Sequence, residues 1–307
     1  MSILLLEPAG KDYIWGGTRL HDEFGKSMAG DRLAETWELS CHADGLTRIK
    51  NGKYRGETLK KFLEDNPGAC GEKCDRFSDF PLLIKLIDAN DDLSIQVHPD
   101  DEYALKNENQ FGKTEMWYIV DCEEGAYIYF GFSREIDAAE YRERILNGTL
   151  QNVLNKVEVH KGDCFFIKSG TVHAIGKGTL VAEVQQNSNV TYRVFDYDRT
   201  DKFGNKRQLH IEKAIEVSNL CPPEEENSGG HMASCEYFTC DALTVNGSVK
   251  QCADKTSFHS LLVTAGNGAV SAAGETISVH PGDSVFITAG SGEYTVEGKL
   301  TFVLTTV

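Results

Sequence analysis

In the stretch Leu93-Ser94-Ile95-Gln96-Val97-His98-Pro99, polar side chains alternate with apolar ones. Side-chain direction repeats every two residues along a strand, so Ser94, Gln96 and His98 share one face. A second strand-like run opens as Lys113-Thr114-Glu115-Met116-Trp117, and a later turn presents Thr171-Val172-His173-Ala174. A barrel can bring two strands and a turn to one mouth, where His98, Glu115 and His173 would converge from distant positions. Two neutral imidazoles, a carboxylate and the Gln96 carboxamide oxygen form a nitrogen-oxygen set that suits zinc, one Zn2+ per chain, with manganese, iron or cobalt as substitutes. Catalysis would require one coordination position left open to substrate or water. The plain alternative is the exposed face of an edge strand.

Positioning such a set requires a β scaffold, and the rest of the chain reads that way. Short apolar runs bounded by turn residues recur at 83–87, 93–97, 116–120, 126–130, 164–167, 180–184 and 190–195. Helical periodicity interrupts them at 58–65, 100–107, 211–219 and, behind Ser133 as N-cap, 137–155. The polar, breaker-rich segment 221–232 reads as a linker. It divides a catalytic domain, 1–220, with helical insertions near 100–112 and 133–156, from a C-terminal β domain, 233–307, made of short strands separated by glycine.

An internal repeat joins the two parts. Residues 158–170, Glu-Val-His-Lys-Gly-Asp-Cys-Phe-Phe-Ile-Lys-Ser-Gly, share Val-His-x-Gly-Asp, then Phe-Ile, then Gly with residues 278–290, Ser-Val-His-Pro-Gly-Asp-Ser-Val-Phe-Ile-Thr-Ala-Gly. A Gly-Asp turn, a buried strand and a second glycine turn make a hairpin-like unit of a jelly-roll barrel, so the fold class is mainly β with two related barrels. Three residues past the last glycine the first copy has His173 and the second Glu293. The first barrel is therefore the candidate site and the second is structural.

The turn Gly162-x5-Lys168-x-Gly170-x2-His173 resembles a motif of the cupin superfamily, with Lys168 where proline is common. Ser94-x-Gln96-x-His98-Pro99, Lys113-x-Glu115, Thr191-Tyr192-Arg193-Val194 and Asp196-Tyr197-Asp198-Arg199 resemble type I mannose-6-phosphate isomerases, in particular their short bacterial branch. Trp15-Gly16-Gly17 and Ala34-Glu35-Thr36-Trp37-Glu38-Leu39-Ser40 look like N-terminal signatures of the same family. The match runs from about residue 12 to residue 215; beyond it the chain is similar only in general pattern. The resemblance implies two cupin-like barrels, zinc held by Gln96, His98, Glu115 and His173, an essential Arg193, and substrate contacts from Lys85, Lys113, Glu183 and Arg199, with Ser94 beside them. Without it, Lys85 reads as a snorkelling strand lysine, Arg193 as an ion pair with Glu183, and Arg199 as a solvated charge.

An aldose–ketose isomerase moves a proton between adjacent carbons through an enediolate. Arg193, always charged, can stabilise that charge; Glu183 or Lys113 can serve as base, Glu183 being favoured. Thirty-one basic residues against forty-seven acidic ones give a net charge of −16 with no basic stripe, which argues against nucleic acid and requires cations focused in one cleft for a phosphorylated hexose. No apolar run reaches the roughly 20 residues of a membrane span. The start, Met-Ser-Ile-Leu-Leu-Leu-Glu-Pro, lacks a signal pattern, and nine scattered cysteines, Cys70 and Cys74 among them, read as reduced thiols of a cytoplasmic protein. No protein partner is indicated. The rivals are another metal-dependent cupin enzyme, such as an iron dioxygenase, and a non-catalytic sugar-binding cupin.

Overall fold

A computed structural model describes residues 3–28, 30, 32–200, 204–224 and 228–307. The chain forms two compact units, one built from the described residues of 1–12, 18–87 and 227–307, the other from those of 13–17 and 88–226. Both are mainly β. The units do not run in sequence order, which corrects the single block expected over 1–220. The cause is strand pairing: Ile3–Glu7 lies antiparallel to Ser284–Ile287, from Ile3 opposite Ile287 to Leu6 opposite Ser284. Ile3 accordingly packs in one core with Leu261, Val285 and Phe302. Linker composition marks where a chain crosses over, not which earlier strand returns to the later barrel. Residues 225–227 of the expected linker lie outside the described residues.

In the first unit, three long strands, Thr239–Ala253, His259–Ala272 and Gly292–Thr306, replace the short glycine-separated pieces expected from sequence. Their glycines lie within the strands, not between them. Gly298 faces Gly247 on one side and Gly268 on the other. At Gly298, φ is +129° and a Cβ would stand 2.5 Å from the Asn267 carbonyl oxygen. Glycine at such a row lets neighbouring backbones approach closely while the strands stay paired.

The second unit carries the metal-ligand candidates. Strands Cys164–Ile167, Glu115–Cys122 and Thr179–Gln186 pair side by side; so do Tyr192–Phe195, Ile95–Val97, His173–Ile175, Tyr127–Phe132 and Leu154–Glu158. The second of these sets shares an apolar core with the helical segments, which includes Ile95, Val97, Phe132, Tyr141, Val172 and Val194. Two helices interrupt the strands as expected. Asp101–Asn107 is capped by the Asp100 side chain, which accepts from Tyr103 N–H at 2.9 Å. Ala138–Leu146 is capped by Asp137, not Ser133, whose hydroxyl instead donates to the Val153 carbonyl at 3.0 Å. That helix stops at Gly148, φ +66°, well short of residue 155, and a 3-10 turn at Leu150–Val153 leads into the next strand.

Both copies of the repeat adopt one turn. The carboxylates of Asp163 and Asp283 accept from the backbone N–H of His160 and His280 at 2.7 and 2.8 Å. Gly162 and Gly282 occupy the left-handed region, φ +95° and +88°, and strands Cys164–Ile167 and Ser284–Ile287 follow. Glu293, the counterpart of His173, is exposed beside Lys250.

The glycine row makes a specific demand on stability. Gly298→Ala is expected to lower stability by about 2 kcal/mol or more through backbone strain and overpacking. Gly274→Asn, at an open hairpin tip where nothing lies within 4 Å of an added Cβ, should cost under about 1 kcal/mol. Urea unfolding of both variants against the native chain measures the difference.

Candidate metal centre

Strand register assembles the centre. Across three adjacent strands, Arg193 lies opposite Gln96, and Gln96 opposite His173, so these residues form one row. On the other set of strands Glu115 lies opposite Gln185, and Trp117 opposite Glu183. Nitrogen and oxygen atoms of His98, Glu115 and His173 all stand within 4.8 Å of one another, and all three residues are buried. The alternation read over Ser94, Gln96 and His98 holds. Ser94 Oγ accepts from Arg193 Nε at 3.1 Å, Gln96 reaches His173, and His98 reaches Glu115.

Each imidazole is fixed by its far nitrogen. His98 Nδ1 donates to the Val190 carbonyl and His173 Nδ1 to the Thr171 carbonyl, both at 2.8 Å. A proton on Nδ1 leaves Nε2 with a lone pair, and both Nε2 atoms face Glu115, at 3.7 Å from Oε2 and 3.3 Å from Oε1. Ligand atoms bound to a tetrahedral ion at about 2.0–2.1 Å stand about 3.3 Å apart, close to these spacings. Burial pushes His173 down to about 4, which keeps the ring neutral, the form that binds metal. The Gln96 amide lies 3.5 Å from His173 Nε2, and a half-turn of the carboxamide would present its oxygen there. The donor set therefore fits a divalent metal.

Lys113 stands beside this cluster, its ammonium 2.7 Å from Glu115, 3.2 Å from His98 Nε2 and 3.7 Å from Glu183. The Glu183 carboxylate accepts from Trp117 Nε1–H at 3.0 Å. Arg193 is not paired with Glu183. Its guanidinium donates to Ser94 and to the Gln208 carbonyl, and burial lowers its pKa. Arg199 is not simply a solvated charge: it donates to the Asp196 carboxylate at 2.8 Å. Lys85 belongs to the other compact unit, 3.9 Å from Glu35 and over the Trp37 ring, so a buried ammonium does find a partner.

Sequence reasoning assigned no role to Asp196, although it lay inside a quoted motif. Its buried carboxylate takes hydrogen bonds from both Arg199 and Arg207. The motif Trp15-Gly16-Gly17 also acquires a cause: at Gly17 a Cβ would meet the Asp88 carboxylate at 2.3 Å.

The chain matches the model of the phosphomannose isomerase type I catalytic domain over residues 3–125 and that of the mannose-6-phosphate isomerase cupin domain over residues 228–307. It is 40% identical to the probable mannose-6-phosphate isomerase GmuF of Bacillus subtilis (strain 168), over 98% of both chains. The chain belongs to the mannose-6-phosphate isomerase family. Another relative, mannose-6-phosphate isomerase of Streptococcus mutans, is 37% identical over 98% of this chain and 96% of that one. The crystal structure of the mannose 6-phosphate isomerase from Bacillus subtilis superimposes with a TM-score of 0.93 at 35% identity, covering 100% of both chains. The chain is thus an enzyme of the mannose-6-phosphate isomerase family with a cupin fold. The likeness extends through the C-terminal barrel, beyond the limit near residue 215 drawn from motifs alone.

Burial alone would raise the Asp196 carboxyl, but hydrogen bonds from Arg207 and Arg199 outweigh it and hold the group below the usual carboxylate range. Asp196→Asn is therefore expected to cost about 1.5–3 kcal/mol at neutral pH. A depressed folded value contributes stability that is full above the unfolded pKa of about 3.9 and is lost as pH falls through the folded one. Urea titrations should show a constant gap between native and variant above about pH 5, narrowing as the medium becomes more acidic than the unfolded pKa.

Proposed function

We propose that this chain is a zinc-dependent aldose–ketose isomerase that interconverts mannose 6-phosphate and fructose 6-phosphate through an enediolate. The observation that carries the reading is the row Arg193, Gln96, His173, which sets an invariant positive charge beside the metal-ligand cluster. Strands lie about 4.8 Å apart, so the backbones of Arg193 and His173 stand about 10 Å apart across the row.

Gln96, His98, Glu115 and His173 would hold one Zn2+, which when bound polarises the carbonyl oxygen or orients the sugar hydroxyls. Arg193 then stabilises the negative charge of the enediolate without changing its own protonation. Its guanidinium is aimed in advance by the hydrogen bond to Ser94, so little reorganisation accompanies charge development. Glu183 moves the proton between the two carbons, its carboxylate oriented by Trp117 Nε1–H. Lys113, close to both Glu115 and Glu183, supplies positive charge between metal ligand and base. Arg199 meets the phosphate. All nine cysteines are free thiols, and no helix among the described residues is long and apolar enough to cross a membrane. These features support a cytoplasmic site of action.

The test combines metal content with a coupled assay for fructose 6-phosphate. The native chain should carry one zinc and isomerise mannose 6-phosphate, whereas His98→Ala should lose both. Arg193→Ala should keep zinc and lose about 100- to 1,000-fold in kcat. Full zinc in His98→Ala, or no turnover by metal-replete native protein, would reject the assignment. Tight mannose 6-phosphate binding without turnover would make it a sugar-binding module instead.

A further inference from the structure

We propose that Gln185 and Gln186, consecutive residues ending the Thr179–Gln186 strand, are positioning residues of the metal centre, Gln185 setting His98 and Gln186 setting Glu115. The inference rests on the metal-binding reading of His98, Glu115 and His173. Both glutamines are buried, at 0% and 3% exposure. Consecutive strand residues point to opposite sides, so the pair can brace two different neighbours.

Gln185 shares a face with its register partner Glu115. Its Nε2 donates to the carbonyls of Gln186 and Ser188 at 2.8 and 2.7 Å, which commits both hydrogens and fixes the amide orientation. The loop gathered in this way reaches Val190, whose carbonyl holds His98 Nδ1–H. The Ser188 hydroxyl secures that step by accepting from Val190 N–H at 3.3 Å. Every side chain in the relay from Gln185 through Ser188 and Val190 to His98 is buried. Among the described residues Gln185 Oε1 has no hydrogen-bond partner, and both amide hydrogens are engaged.

Gln186 acts on the other ligand. Its Oε1 accepts from Thr114 N–H at 2.8 Å, and its own N–H donates to the Thr114 carbonyl at 3.1 Å. Its Nε2 donates to Asp101 Oδ1 at 2.9 Å, anchoring the amide to the Asp101–Asn107 helix. Thr114 is thereby held at both backbone polar groups, and Glu115 is the next residue. The carboxamide is needed because one group must both accept and donate. Methionine keeps the volume and does neither.

Gln185→Met, Gln186→Met and Ser188→Ala in the full chain test this. Zinc affinity is read by competition with a chromophoric chelator, and the imidazole N–H signals by NMR on metal-free protein. Each methionine variant should lose about 10- to 100-fold in zinc affinity with a native circular dichroism spectrum. In Gln185→Met the His98 Nδ1–H signal should lose exchange protection while that of His173, held by Thr171, keeps it. Gln186→Met should leave both signals protected. Should Gln185→Met fail to fold, Ser188→Ala decides its relay: about tenfold weaker zinc binding with a deprotected His98 signal supports it. Should Gln186→Met fail to fold, Asp101→Ala, which removes the anchor of the Gln186 amide, decides its half, about tenfold weaker zinc binding with a protected His98 signal supporting it and native affinity overturning it. Native affinity together with a native His98 signal in the folded variants overturns the proposal. If the native chain binds no zinc, the metal reading itself fails, and the metal-free NMR arm still shows whether Gln185 sets His98.

Discussion

The candidate metal centre depends on two hydrogen bonds that point away from it. His98 and His173 each give a Nδ1 proton to a backbone carbonyl, of Val190 and Thr171 respectively. Those bonds choose the tautomer, aim Nε2 at Glu115 and remove the ring's rotational freedom. Burial then keeps His173 neutral over the range in which an enzyme works. Without the two carbonyls, the same residues would be a polar cluster with no fixed coordination geometry.

Backbone carbonyls can perform this task only if the strands carrying them are fixed. Register does so here, setting Arg193, Gln96 and His173 in one row and Glu115 opposite Gln185 in another. A slip of one residue would turn every one of these side chains to the opposite face. The same lattice places Trp117 against Glu183, so a large buried ring orients a candidate base. Packing, charge and the candidate site thus share one set of strand pairings.

Much of this was legible because alternation and turn chemistry are local. Ser94, Gln96 and His98 could be assigned to one face from three pairs of letters, and the duplicated Val-His-x-Gly-Asp announced two equivalent turns. Three local signals misled. Ser133 is a good N-cap type, yet the Asp137 side chain occupies that role. Glycine in the C-terminal half suggested interruptions, whereas Gly298 sits inside a fifteen-residue strand. The breaker-rich linker suggested a linear division, whereas Ile3–Glu7 pairs with Ser284–Ile287. Gln185, Gln186 and Asp196 were not legible in role, because their partners are backbone atoms or charges that only long-range pairing brings near.

The two aspartate-capped turns have a consequence for how such a protein can change. One copy leads to a candidate metal-ligand histidine and the other to an exposed glutamate, yet both close with the same hydrogen bond and a left-handed glycine. The fold of the turn is therefore indifferent to the chemistry hung from it. A lineage can lose, move or exchange the reactive side chain after the last glycine while the barrel still folds, which makes the duplicated turn a socket in which ligand sets can be redesigned without rebuilding the scaffold.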